Sequence, residues 1–177
     1  MKRRNTLILF NTLITYYINL DSRTDIKLLV EYVRLGCSMS RIRVLMMPKE
    51  RNLDYVVILE DDIHFKKPRF FNEHLKKDIT YDFDVLLIAG NIHPLIPPTY
   101  NPNHFRVQNS YTTTGYIVKN HYYDKVIHNY KMGHYEIDVF WDTLQQKDNW
   151  FIIMPIFCTR WNIGIIQSRC GRGNPII

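Results

Sequence analysis

At 177 residues the chain has the length of a single domain, and a domain of this size buries about 70% of the surface its unfolded chain exposes. A hydrophobic content of 46% and a charged content of 23% exclude a disordered, fibrous or collagen-like chain. The net charge of +6 is spread along the sequence, which suits an anionic or phosphate-bearing ligand but supplies no compact basic patch with interleaved aromatics, so no specific nucleic-acid partner is expected.

In chain order, the opening stretch MKRRNTLILFNTLITYYINL pairs a basic start with a partly apolar run. Asn11, Thr12 and Thr15 interrupt that run, which is shorter than the ~20 residues a membrane span needs and ends in no small-residue cleavage site. No integral span is expected, and a weak N-terminal anchor is the alternative. Residues 1–12 read as a disordered or weakly apolar extension. A buried strand is expected over Leu13–Leu20, followed by a polar turn. Ile26, Leu29, Val30 and Val33 recur at helical spacing, and Ser40–Lys49 reads as a second helix that stops near Pro48.

Tyr55–Leu59 is too apolar and β-branched for a surface helix and reads as a central strand; Phe83–Ala89, closed by Gly90, reads as another. The prolines of IHPLIPPTYNP mark a loop. A short strand over Tyr116–Val118, helices over His121–Tyr130 and Glu136–Gln146, and a last strand over Phe151–Ile156 complete the order. This alternation predicts one α/β domain over residues 1–177, with a mostly parallel sheet flanked by helices. Cys37, Cys158 and Cys170 form no CxxC pair, so neither a disulfide framework nor a structural zinc site is expected, and a reducing, cytoplasmic setting fits them.

The segment YVVILEDDIHF raises the chemical question. Glu60, Asp61 and Asp62 follow a buried strand directly, and ligands of open α/β sheets sit beyond the carboxyl ends of the strands. In extended backbone, residues two apart face the same way, so Glu60 and Asp62 would converge while Asp61 turns aside. Two converging carboxylates suit Mg²⁺ or Mn²⁺ bridging phosphates, because these ions keep several waters and take few protein ligands. The plain alternative is a solvated acidic turn.

Several ordered motifs carry a resemblance. YYINLDSRTD, GCSMSRIRVL, YVVILEDDIHF, DFDVLLIAGN, YTTTGYIVKNHYYDKVI and EIDVFWDTLQ together resemble glycosyltransferase family 25, which includes lipopolysaccharide and collagen galactosyltransferases and homologues in large DNA viruses. The resemblance implies a GT-A-like fold, a nucleotide-sugar donor such as a UDP-hexose, a Mn²⁺ or Mg²⁺ ion, and inverting transfer to the hydroxyl of a glycan, lipid-linked or protein acceptor. The acidic motif maps onto Glu60, Asp61 and Asp62. Two departures stand out. Only 14 residues separate Asp21 from Gly36, where the family has several tens, so part of the nucleotide-binding half is missing; and Arg41 stands where the family places His.

Asn19 and Asp21 end the expected first strand, where they would contact the nucleoside or simply make a turn. Arg23 would meet the donor phosphates or remain a solvated surface residue. In the polar turn Thr112–Gly115, Thr114 and Gly115 would hold the sugar, Gly115 by letting backbone approach a ligand closely. Asp138 and Asp142 share one helix face, and Asp138 matches the family's late carboxylate, which implies the base that takes the acceptor's proton. His93 is a weaker candidate beside the cleft. A shortened, inactive binding domain of the same fold is the competing reading.

Overall fold

A computed structural model describes residues 6–10, 36, 39–60, 62–66, 73, 75–91, 101–110, 114–132, 137–156 and 158–160, with residues 6–10, 137–140 and 160 described by their backbone alone. The strands are β1 (Thr6–Phe10), β2 (Tyr55–Glu60), β3 (Ile63–Phe65), β4 (Val85–Ala89), β5 (His104–Arg106), β6 (Gly115–Lys119), β7 (Trp150–Ile153) and β8 (Cys158–Arg160). The helices are α1 (residues 39–50), a short α2 (residues 75–78), α3 (Tyr123–Met132) and α4 (Ile137–Lys147), with a 3-10 turn at Asn120–Tyr122 leading into α3.

Six strands form one sheet in the order β1-β2-β6-β4-β7-β5, and β3 pairs with β8 in a separate antiparallel ribbon. The sheet is mixed. β1 lies parallel to β2 and β4 parallel to β7, whereas β6 runs antiparallel to both β2 and β4, and β5 antiparallel to β7. The α/β class expected from the sequence therefore holds, while the mostly parallel description is loose. Four strands share a direction and two oppose it. Apolar runs report burial, not direction, because strand direction depends on which neighbour each strand finds.

Both faces of the sheet are covered, which is why β2 and β4 read as nearly continuous apolar runs. Alternate residues divide cleanly between two cores. Val56, Ile58, Val85, Leu87, Tyr116, Val118, Trp150 and Ile152 face α1, α3 and α4. Val57, Leu59, Leu86, Ile88, Ile117 and Ile153 face the other way, toward Phe83, Cys158 and the partly buried Ile63, Phe65, Leu75 and Ile79. The period-2 geometry of a strand imposes that division.

α1 runs through Pro48 to its end two residues later, as the sequence suggested. Its end is a Schellman motif: the Leu53 amide donates to the Pro48 carbonyl at 3.0 Å and the Asn52 amide to the Lys49 carbonyl at 3.0 Å. Asn52 adopts the left-handed φ of 48° that this motif requires of its turning residue. The cap turns the chain straight into β2 and so fixes α1 across the helix-bearing face.

β1 falls inside the stretch read as an N-terminal extension. Thr6–Phe10 instead continues the sheet beyond β2, in the register Leu7 to Val57 and Leu9 to Leu59. Among the described residues no helix is long and apolar enough to cross a membrane. The expected strand Leu13–Leu20, the helix around Ile26–Arg34 and most of the proline-rich loop lie outside the described residues, as do Cys37 and Cys170.

Candidate functional site

The chain leaves the main sheet at Glu60, turns at Asp62 and enters the ribbon at Ile63. This places the acidic corner at the carboxyl end of β2, beside the carboxyl end of β4 and the amino end of β6. Leu59 and Ala89 both register with Gly115, and the Glu60 amide donates to the Thr114 carbonyl at 2.9 Å. Residues far apart in sequence, Glu60, Thr114 and Gly115, are thus brought together.

Gly115 belongs there for a packing reason. A Cβ on it would stand 2.9 Å from Ile63 Cδ1, 3.3 Å from Leu59 Cδ2 and 3.5 Å from Ile88 Cγ1. The space in front of this glycine is therefore filled by the chain's own Ile63, the residue after Asp62. Its missing side chain lets the acidic turn sit down on β6, which differs from the expected approach of a ligand to bare backbone.

Glu60 continues the register of Val56 and Ile58 and so belongs to the face that α1 covers. There Arg41, in the first turns of α1, donates from Nη2 to Glu60 Oε1 at 2.8 Å, with side-chain exposures of only 13% and 16%. At that burial a charge-assisted bond has a firm geometry and is poorly screened by solvent. Sequence reasoning noticed Arg41 only as a departure in a motif. The usable signal was its place immediately before Ile42 and Leu45, at the edge of the stripe that α1 buries.

This ion pair bears on the expected cation site. A divalent ion shared between Glu60 and Asp62 needs both carboxylates, and Glu60 already neutralises a guanidinium. Among the described residues no three His, Cys, Asp or Glu side chains group as a cation site. Asp62 stands in a turn and not in a strand, so the extended-backbone argument that turned it toward Glu60 does not extend to it.

α4 leads through a short turn into β7. Its second turn carries Trp141, whose ring packs edge-on against Tyr116 with centroids 4.9 Å apart. Asp138 lies in the helix's first turn, one turn before Trp141. Asp142 follows on the same side of α4. Its Oδ1 is buried without a hydrogen-bond partner, and burial raises its carboxyl above the ordinary value. One turn further, Gln145 receives the Ser110 amide on Oε1 at 2.7 Å and donates to the Ser110 carbonyl at 3.3 Å, which anchors the segment leading to Thr114 onto α4.

Asn19, Asp21, Arg23, Asp61, His93 and the Thr112–Thr113 part of the turn lie outside the described residues. An open groove of about 310 Å³ lined by Met46, Lys49, Glu50, Asp124, Ile127 and Lys131 lies between the later turns of α1 and α3. It has no part in the acidic corner.

No curated protein sequence matches the chain. Seventeen chains of solved structures do; one is the crystal structure of A197 from STIV, with a TM-score of 0.42 and 12% identity over 66% of this chain and 63% of that one. The present chain thus spans less than two thirds of that protein's length. The sequence signature of glycosyltransferase family 25 (LPS biosynthesis protein) matches residues 30–141, from before α1 into α4, and includes the acidic corner, the Thr114–Gly115 turn, Asp138 and Trp141. More than half of the chain carries that signature, and the chain belongs to glycosyltransferase family 25.

Proposed function

We propose that the chain transfers a sugar from a nucleotide-sugar donor, a UDP-hexose, to an acceptor hydroxyl. The observation that carries this reading is the convergence of two elements of the family's signature at one end of the sheet: Glu60 and Asp62 after β2, and Thr114 and Gly115 before β6. Ligands of open α/β sheets bind at this end. The donor is held with its diphosphate toward the acidic corner and its sugar toward the Thr114 turn.

The chemistry asked of the residues is small. As the acceptor oxygen bonds to the anomeric carbon, the bond from that carbon to the phosphate oxygen breaks on the opposite side. The acceptor's proton goes to a carboxylate, and negative charge grows on the departing UDP. Asp138, placed at the start of α4, takes the proton. The acceptor is a glycan, a lipid-linked sugar or a protein hydroxyl.

The test is a transfer and hydrolysis assay on a panel of UDP-hexoses, reading UDP release with wild type and Asp138→Asn. One donor should support turnover in wild type, and Asp138→Asn should reduce it by about 10²–10⁴-fold with donor binding retained. Donor binding without turnover in wild type would favour an inactive binding domain of this fold.

A further inference from the structure

Glu60 is the first of three consecutive acids, and the fold matches its carboxylate with a cation. We propose that Arg41 is a resident counter-ion that withholds Glu60 from any divalent ion, so that a cation reaching this corner is held through Asp62 without Glu60. The inference rests on the reading of the corner as the donor site only for its consequence; the ion pair stands by itself.

Three observations support it. The Arg41–Glu60 contact is short, at 2.8 Å, and both side chains are largely buried, so water neither screens nor readily replaces the pair. Both residues are positioned by backbone that has little freedom. Arg41 lies in a helix whose next buried residues, Ile42, Val44 and Leu45, are locked into the core, and Glu60 ends a strand whose amide is tied to the Thr114 carbonyl. Finally, α1 and β2 are joined by the capped turn at Asn52 and Leu53, which fixes how the helix lies along the strand and so sets the helix residue opposite Glu60. A divalent ion at Glu60 would have to displace a guanidinium that is bonded to its carboxylate and largely buried. Arg41 is in this sense a positioning residue. It orients Glu60 and offsets that carboxylate's charge.

The consequence is a weak dependence on divalent ions. With Glu60 neutralised by Arg41, the corner offers a cation less negative potential than it would with Glu60 unpaired.

The test is titration of the full chain with MnCl₂ alone by calorimetry, using wild type, Glu60→Gln, Arg41→Gln, Arg41→Lys and the double variant Arg41→Gln/Glu60→Gln. Wild type and the double variant should bind Mn²⁺ equally weakly, since Glu60 is not a ligand, and Glu60→Gln alone, which leaves the Arg41 charge uncompensated at the corner, should bind no more tightly. Arg41→Gln should bind about tenfold or more tightly, because it removes the guanidinium that faces the Glu60 carboxylate. The double variant should lose that gain, and Arg41→Lys, which keeps the charge, should stay close to wild type. A merely structural ion pair would lower the melting temperature of Arg41→Gln and leave its Mn²⁺ affinity unchanged, which would overturn the inference. So would a tenfold loss of Mn²⁺ affinity in the double variant relative to wild type, an outcome that does not depend on how well Arg41→Gln alone folds. A parallel UDP titration of the same proteins keeps the two ideas apart: UDP binding to none of them would refute the donor site and leave the Mn²⁺ comparison valid.

Discussion

The indole of Trp141 meets the ring of Tyr116 edge-on, at 85° and 4.9 Å between centroids, and this contact ties the helix bearing Asp138 to the strand that begins at Gly115. Trp141 also packs against Trp150 at 4.9 Å and Tyr130 at 6.0 Å, so one buried side chain links α4 to β6, β7 and α3. Trp141→Ala should cost about 3–5 kcal/mol, measured by denaturant unfolding. Trp141→Phe should cost only roughly 1–2 kcal/mol, since it also removes an indole N–H that is buried without a hydrogen-bond partner. Equal losses for the two variants would mean that the ring contacts do not seat the helix.

Gly115→Ala tests the packing under the acidic turn. The added methyl meets Ile63 Cδ1 at 2.9 Å, and that atom is the end of a side chain able to yield. The expected stability loss is therefore moderate, about 1–2 kcal/mol. Because Ile63 adjoins Asp62, UDP affinity should fall by about tenfold or more. A variant with wild-type UDP affinity would separate the glycine from the site.

Much of the sheet was legible in the sequence. β2, β4, β6 and β7 are apolar runs long enough to announce burial, and α3 and α4 fall within a residue or two of where their periodicity placed them. The three-residue strands β3, β5 and β8 were not legible, because cross-strand pairing defines them and composition does not. β1 was masked by its basic leader, and only its register with β2 identifies it. In the site, the acids at the end of β2 stood out as charges that a buried strand does not tolerate. The partner of Glu60 did not, since Arg41 lies nineteen residues earlier and reaches it only through the angle between α1 and β2. Gly115 was noticed as unusual, but its reason, Ile63, required the fold.

Asp142 gives a pH prediction. Burial raises its carboxyl, so the native state holds that proton more tightly than the unfolded chain does. Its contribution is therefore favourable at low pH, where both states are protonated, and is lost as pH rises from the ordinary carboxylate range, near 4, through the raised native value. Asp142→Asn should raise the melting temperature by about 2–4 °C at pH 7, with the gain fading toward pH 4. A gain that grows on acidification would contradict this sign.

Cys158 is fully buried, and burial pushes its thiol up to about 12. It should resist iodoacetamide at pH 8 in the native protein for hours and react within minutes in guanidinium chloride. Peptide mapping distinguishes it from Cys37 and Cys170. Rapid native alkylation of Cys158 would show that the ribbon of β3 and β8 opens readily.

Titration of ¹⁵N-labelled protein with UDP, followed by amide chemical shifts, tests the donor site most directly. The expected result is saturable perturbation at Glu60, Asp62, Ile63, Thr114 and Gly115, with Met46, Lys49 and Lys131 unmoved. Perturbation confined to the groove between α1 and α3, or no saturable shift at millimolar UDP, would contradict the assignment of the acidic corner as the place where the donor binds.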